Sequence, residues 1–527
     1  MSGLDGILAG FVALTDPAVF AYMVTGFLIG AFFGAVPGLT AVLAIALLLP
    51  LTYSLDVVAA LVMCAAIFMA GMYAGSITAT TINIPGAPSS MMTAIEGHPM
   101  MKQGRGASAL GHAAFASMIG GAVGAVLLMA VSPLAAEVAL LIQSPGKFSL
   151  VLFALVVIVI AQRKAIAKGV IATGLGLMIA TIGIDVMQPV ARLTFGADIL
   201  VEGIDMMPLI IGMFAISELL IQAETADEPY TIPTGSKAIP TIRRRDFVPS
   251  LAEVREIGWL TYLKSSLIGY AIGVLPGAGG SMAAFVSYAE AMRASKHPER
   301  YGKGTTEGIA AAETANNAMC GGAFVPMLTF GIPGDPTTAV VLGVLIINGL
   351  NPGPQLMVQR FELIAPMYAA LFVSALLLIP LTLFLLGPYC IKIVQVRKAL
   401  LYAGIAVVAL VGAYAATFSV FQMALAILFG VVAYFLRKQD YPTVSLLLGF
   451  ILGPDLEQFF RRSLSLNNGD PSIFLTSPDS LVFLGLTALF FWFMVIRPPR
   501  TPAVPTQAVA TGTVAAPERL AGEDGER

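Results

Sequence analysis

Long apolar stretches, interrupted by short polar or basic segments, set the frame of this chain. Runs near 57–81, 108–131, 147–161, 169–186 and 204–222 predict five membrane-crossing helices in the first half. Runs near 306–330, 360–388, 400–417, 419–436 and 442–458 predict five in the second, and an eleventh lies near 480–496. Most of them approach the roughly 20 residues that a helix needs to cross hydrocarbon. A polar loop at 223–256, rich in proline and arginine, separates the halves, and residues 498–527, with no apolar period, predict a disordered tail.

Basic residues orient these spans, because short loops rich in Lys and Arg stay on the cytoplasmic side. Placing the clusters at Lys102/Arg105, Arg163/Lys164/Lys168, Lys237–Arg255, Arg293–Lys303, Lys392–Lys398, Arg437/Lys438 and Arg497/Arg500 inside accounts for 21 of the 29 basic residues. The segment 257–292 then runs from one cytoplasmic cluster to another. It is expected to enter and leave on the same side as a re-entrant hairpin with its tip at Leu275-Pro276-Gly277-Ala278-Gly279.

Composition narrows the class further. The 527 residues are 57% apolar and 11% charged, with a mean hydropathy of +0.86, against about 25% charged in a soluble protein. The fold class is therefore an all-α polytopic membrane protein whose main surroundings are the lipid bilayer. A net charge of −2 with no basic stripe excludes nucleic acid as a partner. Cys64, Cys320 and Cys390 read as packing residues, with no metal spacing. His98 and His297 are expected in loops beside prolines, and His112 opens an apolar run; none forms a metal pair. There is no phosphate-cradling loop for ATP and no catalytic Asp pair, Ser–Lys pair or His cluster at helical spacing, so neither an ATPase nor an intramembrane enzyme is expected. The N-terminus lacks the basic region and cleavage site of a secretory signal.

The 53 Gly and 33 Pro are many for a helical chain, and their arrangement reveals an internal repeat. IGAFFGAVPGLTA (29–41) matches IGYAIGVLPGAGG (268–280), aligning Gly34 with Gly273, Pro37 with Pro276 and Gly38 with Gly277. NIPGAPSS (83–90) matches GIPGDPTT (331–338) at nearly the same spacing. The loop after the first break is free of basic residues at 51–56 but strongly basic at 293–303; after the second break the pattern reverses, with MKQGRG (101–106) inside and NGLNPGPQ (348–355) outside. The copies are thus expected to be inverted, which makes 18–50 a hairpin from the outside with its tip at Val36-Pro37-Gly38-Leu39-Thr40. The expected organisation is a first repeat over 1–222, a cytoplasmic linker over 223–256, a second repeat over 257–458, an external loop and final span over 459–497, and the tail.

A helix that restarts after a Pro-Gly break presents free N–H groups and the positive end of its dipole, which suits a carboxylate. Small residues also let membrane helices approach closely, but hydroxyl or acidic residues following each break favour a binding role. Candidate substrate-binding residues are Gly38, Leu39 and Thr40; Gly86, Ala87, Ser89 and Ser90; Gly277, Ala278, Gly279, Gly280 and Ser281; and Gly334, Asp335, Thr337 and Thr338. Asn83, Glu313, Asn316 and Asn317 are candidates for the coupling ion, Na⁺ or H⁺, with Asp335 as an alternative carrier; no other cofactor is expected. Lys264, at the cytoplasmic start of the second hairpin, is expected to snorkel.

GAVPGLTAVLAIALLLPLTY (34–53), TTINIPGAPSSMMTAIEGHPMMKQGRGASALG (80–111), FGADILVEGIDMMPLIIGMFAISELL (195–220), GVLPGAGG (273–280) and ETANNAMCGGAFVPMLTFGIPGDPTTAVVLG (313–343) together resemble the large permease subunit of the tripartite tricarboxylate transporters, the TctA family. The resemblance extends over about residues 20–465. It implies a bacterial inner-membrane location, a small TctB-like membrane subunit, a periplasmic TctC-like solute-binding protein, and cation-driven import of a carboxylate such as citrate or a related dicarboxylate. An uncoupled anion channel or facilitator is the alternative.

Overall fold

The computed structural model describes residues 3–161, 165–224, 244–393 and 398–496. The tail from 498 and most of the 223–256 linker lie outside them. The described residues are 81% helical. Among the described residues the one strand pair joins Gly183–Ile184 to Ala191–Arg192, and nine helices are long and apolar enough to cross a membrane. The protein is an all-α, multi-pass membrane protein.

Two helices, Val57–Ile82 and Thr306–Phe330, form the centre, and every side chain from Ala59 to Thr81 and from Gly308 to Thr329 is buried. Glycines make this possible. Along the helix Pro17–Ala35, Gly26, Gly30 and Gly34 recur every fourth residue and so share one face. A Cβ on them would stand 2.5, 2.4 and 2.4 Å from the carbonyl oxygens of Met63, Ile67 and Gly71. The helix Trp259–Val274 uses Gly269 and Gly273 in the same manner, at 2.2 and 2.4 Å from the carbonyls of Ala315 and Met319. Gly120 and Gly124 of Gly106–Leu141 lie against Thr314 and Ala318 on a neighbouring face of the same central helix.

Outside this core, helices from opposite halves pair. Ile166–Ala180 packs on Thr443–Leu466 through Gly176 and Gly449, and Met206–Glu224 packs on Val420–Lys438 through Gly212. The last helix, Pro478–Ile496, is the least buried of the nine, with Leu481, Val482, Leu489 and Phe493 turned outward as lipid-facing residues are.

Several expectations are corrected. The span expected at 169–186 is a 15-residue helix ending at Ala180, because Gly183 takes φ +115° and Asp185 accepts the amides of Met187 and Gln188 at 2.7 Å, turning the chain into the strand pair. The Met187 amide, with the Arg461 and Arg192 guanidiniums, holds the Asp185 carboxyl down to about 2. Arg192 and Arg461 each contact both Asp185 and Glu457, at 2.6–3.2 Å. The span expected at 108–131 extends to Gly106–Leu141, 36 residues. At about 54 Å it is too long to stand upright in a bilayer. Thr306–Phe330 is helical as expected but is not among the nine; its Glu, Asn and Gly lower its apolarity, and protein rather than lipid covers it. His98, expected in a loop, lies inside the helix Met91–Lys102, which accommodates Pro99 without breaking.

Gly30→Ala and Gly269→Ala each force a methyl into a backbone carbonyl. Each should lower stability by about 1–3 kcal/mol, read as a lower melting temperature of the purified protein in detergent. Gly174→Ala, on a helix with no atom within 4 Å of the new methyl, should leave it unchanged or raise it.

Candidate functional site

All four Pro-Gly points interrupt helices. Pro17–Ala35 stops before Val36, a turn closes with the Leu39 amide donating to the Val36 carbonyl at 3.0 Å, and Ala41–Tyr53 begins with the Thr40 hydroxyl accepting the Leu43 amide at 3.3 Å. Trp259–Val274 stops before Leu275, the Ala278 amide donates to the Leu275 carbonyl at 3.3 Å, and Gly279–Ala294 follows. Gly38, Gly277 and Gly279 have φ of +87°, +70° and +63°, a region costly to side-chain-bearing residues. Val57–Ile82 ends at Asn83 in the left-handed region, and a helix resumes at Pro88. Thr306–Phe330 ends at Gly331, and Pro336–Ile347 follows, capped by Asp335.

The breaks come together in pairs. A Cβ on Gly86 would lie 2.1 Å from the Gly34 carbonyl, and one on Gly334 would lie 2.3 Å from the Gly273 carbonyl. In each half, the second break therefore rests on the last turn before the first. The halves also meet: the arm Gly279–Ala294 packs on the turn Pro88–Ser90, and Ala41–Tyr53 packs on Pro336–Ile347.

Polar groups collect chiefly in the second half. Asp335 is buried; its Oδ1 accepts the Thr337 amide at 2.8 Å, and its Oδ2 lies 3.1 Å from where a Cβ on Gly279 would stand. The Thr338 hydroxyl accepts the Asp335 amide and donates to the Asp335 carbonyl. Asn316 Oδ1 lies 2.6 Å from the Cβ position of Gly280 and has no hydrogen-bond partner, while its Nδ2 donates to the Met72 carbonyl at 3.0 Å. Asn317 donates to the Met69 carbonyl at 3.1 Å, and its Oδ1 too is unpartnered. One turn earlier, Glu313 is fully buried; Thr93 donates to one carboxylate oxygen and Ser117 to the other, at 3.2 Å. Among the described residues it has no cationic partner. Glu313 thus faces Met91–Lys102 and Gly106–Leu141, and a side-chain hydrogen bond also links it to Asn316.

The remaining candidates are placed as follows. Leu39 is buried with Val36 and Leu43 against Ile211 and Ala215, an apolar seal. Ser281 is exposed at the second tip, and Ala278 and Gly277 are half-buried, Gly277 facing Ile158. Lys264 is exposed. Ser89 and Ser90 are buried with hydroxyls lacking partners. Among the described residues, no group of three or more His, Cys, Asp or Glu is arranged to hold a metal ion.

Against known proteins, residues 20–448 match the tripartite tricarboxylate transporter TctA family. The chain belongs to that family. TctA is a transporter family rather than an enzyme family, and its members are the permease component. An "Uncharacterized 52.8 kDa protein in TAR-I ttuC' 3'region" of Agrobacterium vitis is 33% identical over 495 residues, which is 93% of this chain and 96% of the relative. An "Uncharacterized protein in TAR-II ttuC' 3'region" of the same organism is 36% identical over 218 residues, 41% of this chain and 90% of the relative. No solved structure matches.

Sequence reading passed over Glu96, which ties the candidate region together. Fully buried on Met91–Lys102, it accepts the Tyr288 hydroxyl at 2.6 Å and the amides of Gly302, Gly304 and Thr305 at 2.6–2.9 Å. One carboxylate thereby fixes the loop leading into Thr306–Phe330 and joins the two halves. Gln222 was also passed over; its amide nitrogen lies 2.0 Å from the Cβ position of Gly38 and donates to Glu218, which pairs with Arg437 at 2.7 Å. Glu96 lies within the stretch 80–111 but away from its Pro-Gly break, and its partners come from across the fold; Gln222 reaches the Gly38 turn from the far end of the first half. Glu96→Ala strands the buried Tyr288 hydroxyl and three partly buried amides and should cost about 3 kcal/mol, measured as a fall in the melting temperature and in the folded fraction on size exclusion; Glu96→Gln should fall between that variant and wild type.

Proposed function

We propose that this chain is the large permease subunit of a binding-protein-dependent, cation-coupled importer of carboxylates in a bacterial inner membrane. It works with a small TctB-like membrane subunit and a TctC-like periplasmic protein that delivers a tricarboxylate such as citrate, or a related dicarboxylate. Its two halves act as inverted copies whose hairpins alternate access to a shared pocket. The observation that carries this reading is the pairwise packing of four helix restarts beside a central helix, with two buried carboxylates, Asp335 and Glu313, neither ion-paired among the described residues. Helix starts favour a carboxylate substrate, and an unpaired buried acid with unpartnered amide oxygens nearby favours a Na⁺ or a proton.

The test is uptake of radiolabelled citrate and succinate by cells expressing all three proteins, with Na⁺ replaced by K⁺ or with a protonophore present. Gradient-dependent uptake supports coupling; uptake indifferent to both removes it. Glu313→Gln removes the ionisable group while keeping an acceptor for Thr93. It should lower uptake at least about tenfold, the size expected from losing one charged hydrogen-bonding partner, and should shift or abolish the dependence on the driving ion while the protein still reaches the membrane.

A further inference from the structure

The two halves build the same backbone frame but fill it with different chemistry. In the second half, one carboxylate serves two helix starts. Asp335 Oδ1 accepts the Thr337 amide at the start of Pro336–Ile347, and Oδ2 lies beside Gly279, with the Gly280 amide directed at it, at the start of Gly279–Ala294. Both dipoles and their free N–H groups are answered by an acid from the chain itself.

In the register of the repeat, Ala87 stands where Asp335 stands, Thr40 where Gly279 stands, and Ser89 and Ser90 where Thr337 and Thr338 stand. The frame is kept, since Gly86 rests on the Gly34 carbonyl as Gly334 rests on that of Gly273. The acid is not. The helix start at Pro88 has no side-chain cap. Ser89 and Ser90, 4% and 0% exposed, carry hydroxyls with no hydrogen-bond partner. The Ser90 hydroxyl and the Ala87 amide converge, lying 2.5 and 3.1 Å from one point beside Gly75. Access differs as well: Gly331–Asp335 are all buried, whereas Asn83, Ile84 and Pro85 are half-buried and Pro88 is exposed.

We propose that a carboxylate of the transported substrate occupies, in the first half, the place that the Asp335 carboxylate occupies in the second. It is held by the amides of Ala87 and Ser89 and the hydroxyls of Ser89 and Ser90. Asp335 is then an internal counterpart of the substrate rather than one of its ligands, and its half of the site is left to the coupling cation. This inference rests on the carboxylate-permease reading and assigns the groups within it.

Ala87→Asp supplies the missing acid and should compete with the substrate in place. Uptake of citrate or succinate, whichever the wild-type three-protein system transports, should fall at least about 100-fold from like-charge repulsion. Ala87→Asn, nearly the same size without the charge, should lower it by less than about threefold, since it neither repels the substrate nor leaves a charge unpaired. Equal loss in the two variants would overturn the proposal. Ser89→Ala, a smaller change that does not crowd the site, should raise the substrate KM about tenfold by removing one hydrogen bond to a charged group. An unchanged KM would also overturn the proposal, whether or not Ala87→Asp folds. If wild type takes up neither carboxylate, the functional reading fails instead, so the two failures are distinguishable.

Discussion

A helix that stops inside a bilayer leaves N–H and C=O groups that hydrocarbon cannot satisfy, and much of this molecule follows from where those groups go. The amides beyond the breaks turn back onto the helix just ended: Gly86 donates to the Gly75 carbonyl, Gly331 to Met327 and Ile332 to Pro326. Such returns work only where protein, not lipid, surrounds the break. The two interrupted central helices are accordingly the most deeply buried elements, and glycine rows bring their neighbours within reach of their carbonyls. Close approach excludes lipid, and exclusion of lipid makes the interruptions tolerable.

Much of the frame was legible from spacing. The Pro-Gly pairs mark interruptions because proline has no N–H to donate and, at the first break of each half, Gly38 and Gly277 take positive φ, so their positions are local properties of the chain. The burial of Thr306–Phe330 was less legible: its Glu, Asn and Gly read as a polar helix start, whereas its whole length lies inside protein. The early end of Ile166–Ala180 was hidden because Gly183, Asp185 and Arg192 become a turn only when Glu457 and Arg461, more than 250 residues away, complete the ion network. Glu96 could not be foreseen either. A glutamate near a basic loop reads as a surface residue, and its role depends on four donors from a segment about 200 residues further along.

The candidate residues divided in a way that sequence alone does not dictate. Asp335, Asn316, Gly279 and Gly280 meet, whereas Glu313 faces Thr93 and Ser117, and Leu39 contributes an apolar seal instead of a ligand. The reason is helical phase. Glu313 and Asn316 are three residues apart and so neighbours on one face, but the rise between them carries each to a different partner helix. Asn317, one residue on, turns to Met69 while Asn316 turns to Met72.

On the proposed function, a duplicated frame with unequal side chains answers a difficulty that an ion-coupled carrier of anions faces. An anion and a cation must sit close enough to bind together, yet a site of uniform chemistry would favour only one of them. Here the backbone contributes the same positive helix ends in both halves, and the chain adds an acid on one side only, at Asp335, where Ala87 stands on the other. That acid offsets the local positive potential and leaves amide oxygens nearby as acceptors; without it, the opposite half keeps free donors and hydroxyls. On the proposed reading, the acid present in one copy and absent from the other is what gives one half a place for a cation and the other a place for a carboxylate.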